Sequence, residues 1–396
     1  MPLQDPMMVA AVCCLIAGAV MWAAESRYGR RFFAVVPPIL LLCYVPAIFG
    51  SLEILPRQSD AYDWMAQYLL PFGLFLLVVT TDIPAIFRLG WPVLVVMLVG
   101  SAGVMAGAIL SYYLVRSFLP TDAWTVFVAI TGSWIGGGSN FAALREAVAM
   151  PDRLTGPAIV VDATVGYIWL GIVLFMARHQ DWVRRFYEPR ELESHVDDAT
   201  AEVEQSPVSA EQLVILIAVA LPVAVGCMWA GSALFSAISD TLHTMPAMQG
   251  VLSAYTFGIL AVTLSAILLS FTPLRKLERF GATPVGYATQ FIFFTSLGAQ
   301  ADIAAILELP VLLLAGILWI GVHILFLAII SRALRTPLYV PAIASIANVS
   351  GPSVAAIVGA EYGKNLAALG LLLGLLGNLL GTWAGLGIAL LFRFVG

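Results

Sequence analysis

Three consecutive glycines, Gly136, Gly137 and Gly138, interrupt an otherwise apolar stretch, ITGSWIGGGSNFAALREA (130–147), between Thr131 and Ser133 on one side and Ser139 and Asn140 on the other. A second stretch, ANVSGPSVAA (347–356), repeats the chemistry with Asn348, Ser350, Gly351, Pro352 and Ser353. Glycine and proline stop helices. A helix that stops inside a membrane leaves bare N–H groups at one end and bare carbonyls at the other, tolerated only where they line a polar cavity. The N-terminal end of each returning helix favours an anionic group such as a carboxylate. Ser139 and Asn140 are expected to cap the first, and Gly351, Pro352 and Ser353 to supply cap and first turn of the second. The carbonyls that end the entering arms, with Thr131, Ser133, Asn348 and Ser350, offer oxygens to a small cation. Ser133, Gly137, Gly138, Ser139, Asn140, Asn348, Ser350, Gly351 and Ser353 are therefore the candidate substrate-binding residues.

Asp162 lies inside the apolar run GPAIVVDATVGYIWLGIVLF. A carboxylate there is costly and marks a functional site, as a proton carrier or an Na+ ligand. Asp162, Thr131 and Asn378 are the candidate ion-coupling residues, with Asp162 and Asn348 as candidate Na+ ligands; no other cofactor is expected. Thr80, Thr81, Gln290, Thr295, Ser296 and Gln300 are polar residues within or ending apolar spans and are expected to line the cavity. Asp82 and Asp302 adjoin prolines at span ends, where caps suffice. His323 reads as a hydrogen-bonded packing residue.

These residues need a membrane around them. The 396 residues are 61% hydrophobic and 11% charged, with mean hydropathy +0.95, well outside the soluble range of about 25% charge. Cys13, Cys14, Cys43 and Cys227 all fall in apolar spans, so neither disulfides nor a zinc site are indicated. The N-terminus lacks a basic signal region. Apolar runs read as ten spans: 7–24, 32–51, 66–81, 91–115 and 155–177, then 212–236, 248–271, 284–300, 310–331 and 366–392. The polar stretch 178–211 is expected to link a first membrane repeat (1–177) to a second (212–396).

The two broken segments, 122–149 and 338–363, are expected to dip in and return. With re-entrant hairpins the 19 Lys and Arg divide 14 against 5 in favour of the linker side, satisfying the positive-inside rule with both termini outside. Each arm of about ten residues reaches ~15 Å, half of a ~30 Å hydrocarbon core. Matches in the same order at offsets of 213 to 220 suggest an inverted repeat: TDIPAIFRLGWPVL (81–94) with ADIAAILELPVLL (301–313), Gly138 with Gly351, and Asp162 with Asn378. Inverted halves with broken helices mark secondary transporters, whose site lies at the repeat interface near the midplane.

Other classes fit less well. TVGYI (164–168) lacks the second glycine of a potassium filter and sits mid-helix, which leaves a channel as the weakest transport reading. No metalloprotease, membrane serine protease or aspartyl protease motif occurs, so an enzyme is not expected; nor are a Walker motif or nucleic-acid binding. The motifs TGSWIGGGSN and ANVSGPSVAA, with the glycine-rich last span, resemble the YjcL-like family of uncharacterised polytopic membrane proteins (domain of unknown function 819), over essentially the whole chain. The resemblance implies a bacterial inner-membrane protein of about ten spans. More distantly the architecture is similar to the cation–proton antiporter and bile acid–sodium symporter superfamily, which implies a dimerising scaffold and a moving core of broken elements.

The expectation is thus an all-α multi-pass protein of the bacterial inner membrane, homodimeric in the lipid bilayer. It would move a small organic anion or zwitterion (a carboxylate, amino acid or short peptide) with Na+ or H+ by alternating access. A cation–proton antiporter without organic substrate is the alternative.

Overall fold

The computed structural model describes residues 3–33, 38–179, 208–243, 252–301, 310–363 and 366–395, and every regular element among them is helical. Asp302, Lys364, most of the 178–211 linker and most of the 301–313 repeat segment lie outside the described residues.

The first half runs α1 (Pro6–Glu25), α2 (Gly29–Phe33), α3 (Pro38–Ser51), α4 (Asp60–Trp64) and α5 (Leu70–Val79), the last two joined by the π-turn Met65–Leu69. It continues through α6 (Ile83–Arg88), α7 (Trp91–Val115), α8 (Trp124–Gly136), α9 (Gly138–Ala147) and α10 (Asp152–Arg178). The second half holds α11 (Ala210–His243), α12 (Ala254–Ser270), α13 (Ala282–Gln300), α14 (Pro310–Leu334), α15 (Tyr339–Val349), α16 (Pro352–Tyr362) and α17 (Ala367–Val395). Helices fall where ten spans were expected, yet among the described residues seven are long and apolar enough to cross a membrane. An eighth is reached if α12 and the 3-10 element Pro273–Phe280, bent by 98°, count together. The physical reasons are local: α3 has 14 residues, and α13 carries Thr283, Thr289, Gln290, Thr295 and Gln300 in 19.

Two groups of helices result. α13 packs on α3 and α5, α12 on α11 and α5, and α1 on α3 and α13. In the other group α14 packs along α7, and α17 gathers α8, α15 and α16.

Both broken segments are hairpins. Gly132 of α8 and Leu144 of α9 are 12 positions apart, which in one straight helix is about 18 Å. A Cβ added at Gly132 would instead lie 2.1 Å from Leu144 Cδ1, so α9 folds back on α8. α10 serves as a ruler for both. Near its start Arg145 Nε reaches Thr155 Oγ1 (3.4 Å), and further along Ser133 Oγ donates to Asp162 (3.0 Å). Beyond that, Val349 packs at Gly166, Trp169 Nε1 donates to Ser345 (2.8 Å), and Tyr362 OH donates to Val173 O (3.1 Å). The first hairpin therefore occupies the N-terminal half of α10. The second occupies the C-terminal half, with Ser345 and Tyr362, from its two arms, both lying away from the tip. The hairpins enter from opposite ends and meet at the middle.

The last helix explains how they fit. Glycines 370, 374, 377, 381 and 385 recur every three or four residues along one face of α17. A Cβ at these positions would fall 2.1–2.7 Å from Ala355, Pro352, Ile135, Asn140 and Leu144 in turn. The ladder seats α16 against its first half and the first hairpin against its second half.

Candidate functional site

The hairpin tips touch through glycine backbones. Gly137 (φ 78°, ψ −179°) and Gly351 (φ 78°, ψ −173°) adopt the same conformation, one open essentially to glycine alone. A Cβ on Gly137 would sit 3.7 Å from Gly351 Cα, and one on Gly351 3.8 Å from Gly137 Cα. Gly137, not Gly138, is thus the counterpart of Gly351, one residue away from the sequence pairing. Gly73 in α5 and Gly286 in α13 form a second reciprocal contact, each added Cβ falling 3.1–3.2 Å from the other's carbonyl oxygen. These pairs are separated by 213 and 214 residues.

Beside the tips lies a cavity of about 90 Å³. Ser133, Gly137, Gly138 and Phe141 come from the first hairpin, and Val349 and Ser350 from the second. α10 contributes Ile159, Asp162, Gly166 and Tyr167, while Ile39 and Cys43 of α3 and Phe294 of α13 close it from the other group of helices. Among the described residues that line it, Asp162 is the only charged side chain. It is half-buried and accepts a hydrogen bond from Ser133 Oγ. The indole N–H of Trp134 is buried without a hydrogen-bond partner among the described residues. Gly137 N donates to Ser133 O (2.7 Å), so the residue that holds the carboxylate lies one helical turn before the break. Of the first-turn amides of α9, those of Asn140 and Phe141 donate to Gly137 O. The cavity thus joins a carboxylate and a helix N-terminus, cation-favouring and anion-favouring groups respectively.

Only part of the polar set expected from sequence reaches this cavity. Asn140 does not cap α9. Its Nδ2 reaches back across the break to Gly136 O (2.7 Å) and on to Asn378 O (3.4 Å), while Oδ1 accepts from Thr382 Oγ1 (2.6 Å). It is a brace that closes the hairpin and ties it to α17. Asn348 Oδ1 accepts from Ser101 Oγ (2.7 Å) and its Nδ2 donates to Ala344 O (3.1 Å), fixing α15 to α7 and turning the amide away from Asp162. Thr131 Oγ1 donates to Phe127 O in its own helix (2.6 Å). Asn378 lies across the tip, its Oδ1 3.8 Å from a Cβ built on Gly137. Ser139 is half-buried, and Ser353 is exposed on the first turn of α16, where Pro352 occupies the first position after Gly351 and no side chain caps.

The residues expected to line the cavity from α5 and α13 do not. Thr295 donates to Cys13 O and Ile292 O, Ser296 to Phe293 O, Gln290 to Leu70 O and Thr80 to Leu76 O. Gln300 accepts from Arg145, which is buried and also paired with Glu146 and Asp152. The hydroxyl of Thr81 is buried without a partner. Asp82 caps α6 through Ala85 N and pairs with Arg275 (2.8 Å). His323 is satisfied at both nitrogens: Nδ1 meets Gly100 O (2.8 Å) and Nε2 meets Ser345 Oγ (2.8 Å). Since Gly100 O can only accept, Nδ1 carries the proton and Ser345 donates to Nε2 while accepting from Trp169.

The wall residues Ile39, Cys43, Phe141, Tyr167 and Phe294 had no polar pattern to betray them. Phe141 and Tyr167 do sit in stretches singled out by sequence, Phe141 in 130–147 and Tyr167 just beyond Asp162.

A family model described as "Protein of unknown function (DUF819)" matches residues 10–395. The uncharacterized membrane protein YjcL of Bacillus subtilis (strain 168) is 25% identical over 374 residues, covering 92% of each chain.

Proposed function

The chain belongs to the DUF819 family of proteins of unknown function, and we propose that within it this membrane protein is an ion-coupled secondary transporter of a small organic anion or zwitterion, working by alternating access. One observation carries the reading. Two glycine-broken hairpins enter from opposite ends and meet beside a carboxylate-bearing cavity, an arrangement suited to binding at mid-membrane. The reciprocal pairs Gly73–Gly286 and Gly137–Gly351 support two inverted repeats of five spans and one hairpin each. So does the grouping of helices, since α1, α3 and α5 join α11, α12 and α13, while the last two spans and hairpin of each half form the other group.

On this reading the cavity lies on the boundary between a scaffold and a moving core. Ile39, Cys43 and Phe294 stand on the scaffold, and the tips and α10 move past them in an elevator-like or rocking step. Asp162 with Ser133 forms the cation end, where Na+ or H+ acts. The N-terminal end of α9, at Gly137 and Gly138, forms the anion end. The chain would act as a homodimer in a bacterial inner membrane.

Size favours one end of the substrate range. A cavity of about 90 Å³ suits a small ligand better than a short peptide. The same small volume keeps cation–proton antiport as the second reading. Proteoliposomes decide between them: a symporter accumulates a labelled small carboxylate or amino acid against its gradient only when an inward Na+ or H+ gradient is imposed. Proton movement driven by Na+ or K+ alone, with no organic solute, would establish antiport; neither response sinks the transporter reading.

A further inference from the structure

Resting on the transport reading, we infer that Arg145 and Thr256 latch the core to the scaffold on the side from which the first hairpin enters, so that the structure is the state closed on that side and open beside the second hairpin. The two hairpins are built alike but seated differently. At the register set by Gly137 and Gly351, Ser139, Ala143 and Ala147 of α9 correspond to Ser353, Ile357 and Glu361 of α16, one face of each helix at four-residue spacing. α9 packs on α5 and α12 of the scaffold, and Ala143 and Ala147 are buried. α16 packs on α10, α15 and α17 of its own group, and there Ile357 is 62% exposed, with Ser353 and Glu361 exposed on either side of it. A face that carries a hydroxyl and a carboxylate suits a water-filled cleft better than lipid. One hairpin seated and its counterpart released is the asymmetry that alternating access between inverted repeats requires.

The seal on the first-hairpin side is polar and made twice. Arg145 is buried and held within the core by Glu146, Asp152 and Thr155 Oγ1 (3.4 Å), and it reaches across the boundary to Gln300 Oε1 at the end of α13 (3.2 Å). Two residues on, Ala147 O accepts from Thr256 Oγ1 in the first turn of α12 (3.1 Å). Nearer the cavity, a Cβ on Gly138 would lie 2.7 Å from Phe294 Cζ, so α9 meets α13 at its tip and again two turns outward. Between these contacts residues 140–145 of α9 and 294–299 of α13 are all buried, which leaves no path from the cavity to that side. Opening has to break the bonds to Gln300 and Thr256. Arg145 keeps its three core partners when it does, so no buried charge is stranded and the step stays reversible.

The test uses the full-length protein in bacterial membranes and needs no substrate. Cys43, on the scaffold wall of the cavity, is the reporter. A membrane-impermeant methanethiosulfonate is offered from either face, in spheroplasts and in inverted vesicles, and modification is read by mass spectrometry. Arg153→Cys, at the exposed start of α10, marks the first-hairpin face. Wild-type Cys43 should react faster from the opposite face. Gln300→Leu combined with Thr256→Val removes both bonds across the boundary and should raise the rate from the first-hairpin face about tenfold, the equivalent of ~1.4 kcal/mol. Gln300→Glu, which offers the guanidinium a further carboxylate, should slow that rate and stands in if the double variant fails to fold. Ser350→Cys, in the same cavity, supplies a second reporter. Wild-type reaction as fast from the first-hairpin face, an unchanged rate in these variants, or silence of both reporters overturns the latch. A responsive latch without gradient-driven uptake would preserve this inference and end the transport reading, whereas uptake with an unresponsive latch would do the reverse.

Discussion

Replacing Gly137 and Gly351 by alanine, singly and together, tests whether the tips meet as described. At φ near 78° with extended ψ an L-residue pays about 1–3 kcal/mol in strain. Space adds little to the single variants, because the new Cβ would stand 3.7 Å from Gly351 Cα or 3.8 Å from Gly137 Cα, ordinary van der Waals separations. Each single variant should therefore lose about 1–3 kcal/mol, a five- to 150-fold fall in the folded ratio. The double variant differs, since two methyl groups must now share a contact that one already fills. Its loss should exceed the sum of the singles by more than the ~0.5 kcal/mol typical of independent sites. Gly171, helical with nothing within 4 Å of an added Cβ, is the control, and alanine there should cost nothing. Unfolding in mixed micelles with increasing dodecyl sulfate, followed by circular dichroism, gives all four differences. If Gly137→Ala is as stable as Gly171→Ala, the strained conformation is wrong. If the double variant merely adds the singles, the tips do not touch.

Other substitutions read the remaining parts. Asn140→Ala strands Thr382 Oγ1 and Gly136 O in a buried setting and should cost about 1–3 kcal/mol in the same unfolding assay, unmoved by any substrate. Gly381→Ala drives a methyl to within 2.7 Å of Asn140 Cγ and 2.9 Å of Gly132 O, so it should destabilise at least as much; an alanine variant that folds normally would contradict the glycine ladder. Ser345→Ala removes the hydroxyl shared by His323 and Trp169, leaving the buried His323 Nε2 and the half-buried Trp169 indole without that partner, and a loss of about 1–3 kcal/mol is expected, with uptake per folded molecule unchanged. Asp162→Asn should keep the unfolding midpoint within about 1 kcal/mol, since Ser133 can still donate to the amide oxygen, while gradient-driven uptake in proteoliposomes is lost. Undiminished uptake in that variant would remove Asp162 from the coupling step.

How far the residues themselves announce this arrangement depends on what each one has to satisfy. The apolar runs, the two breaks and the hairpin form are legible because hydrocarbon imposes them: a glycine-rich interruption flanked by two ten-residue arms has few other solutions. The tip register is less legible, as three successive glycines leave several choices and only the backbone angle distinguishes Gly137 from Gly138. The polar residues mislead for a physical reason. Inside a membrane a buried amide or hydroxyl must first find partners, and most of those near the breaks find them within the protein. Asn140 holds the two arms together, Asn348 holds α15 to α7, and Thr131 returns to its own helix. Polar type near a break is therefore weak evidence for a ligand contact, because the brace and the binding group draw on the same residues. What separates them is the unfinished accounting. The half-buried carboxylate of Asp162 is a charge that the chain meets only through Ser133. It stands at a small cavity whose walls at Ile39, Cys43 and Phe294 come from α3 and α13, two helices that the breaks do not mark.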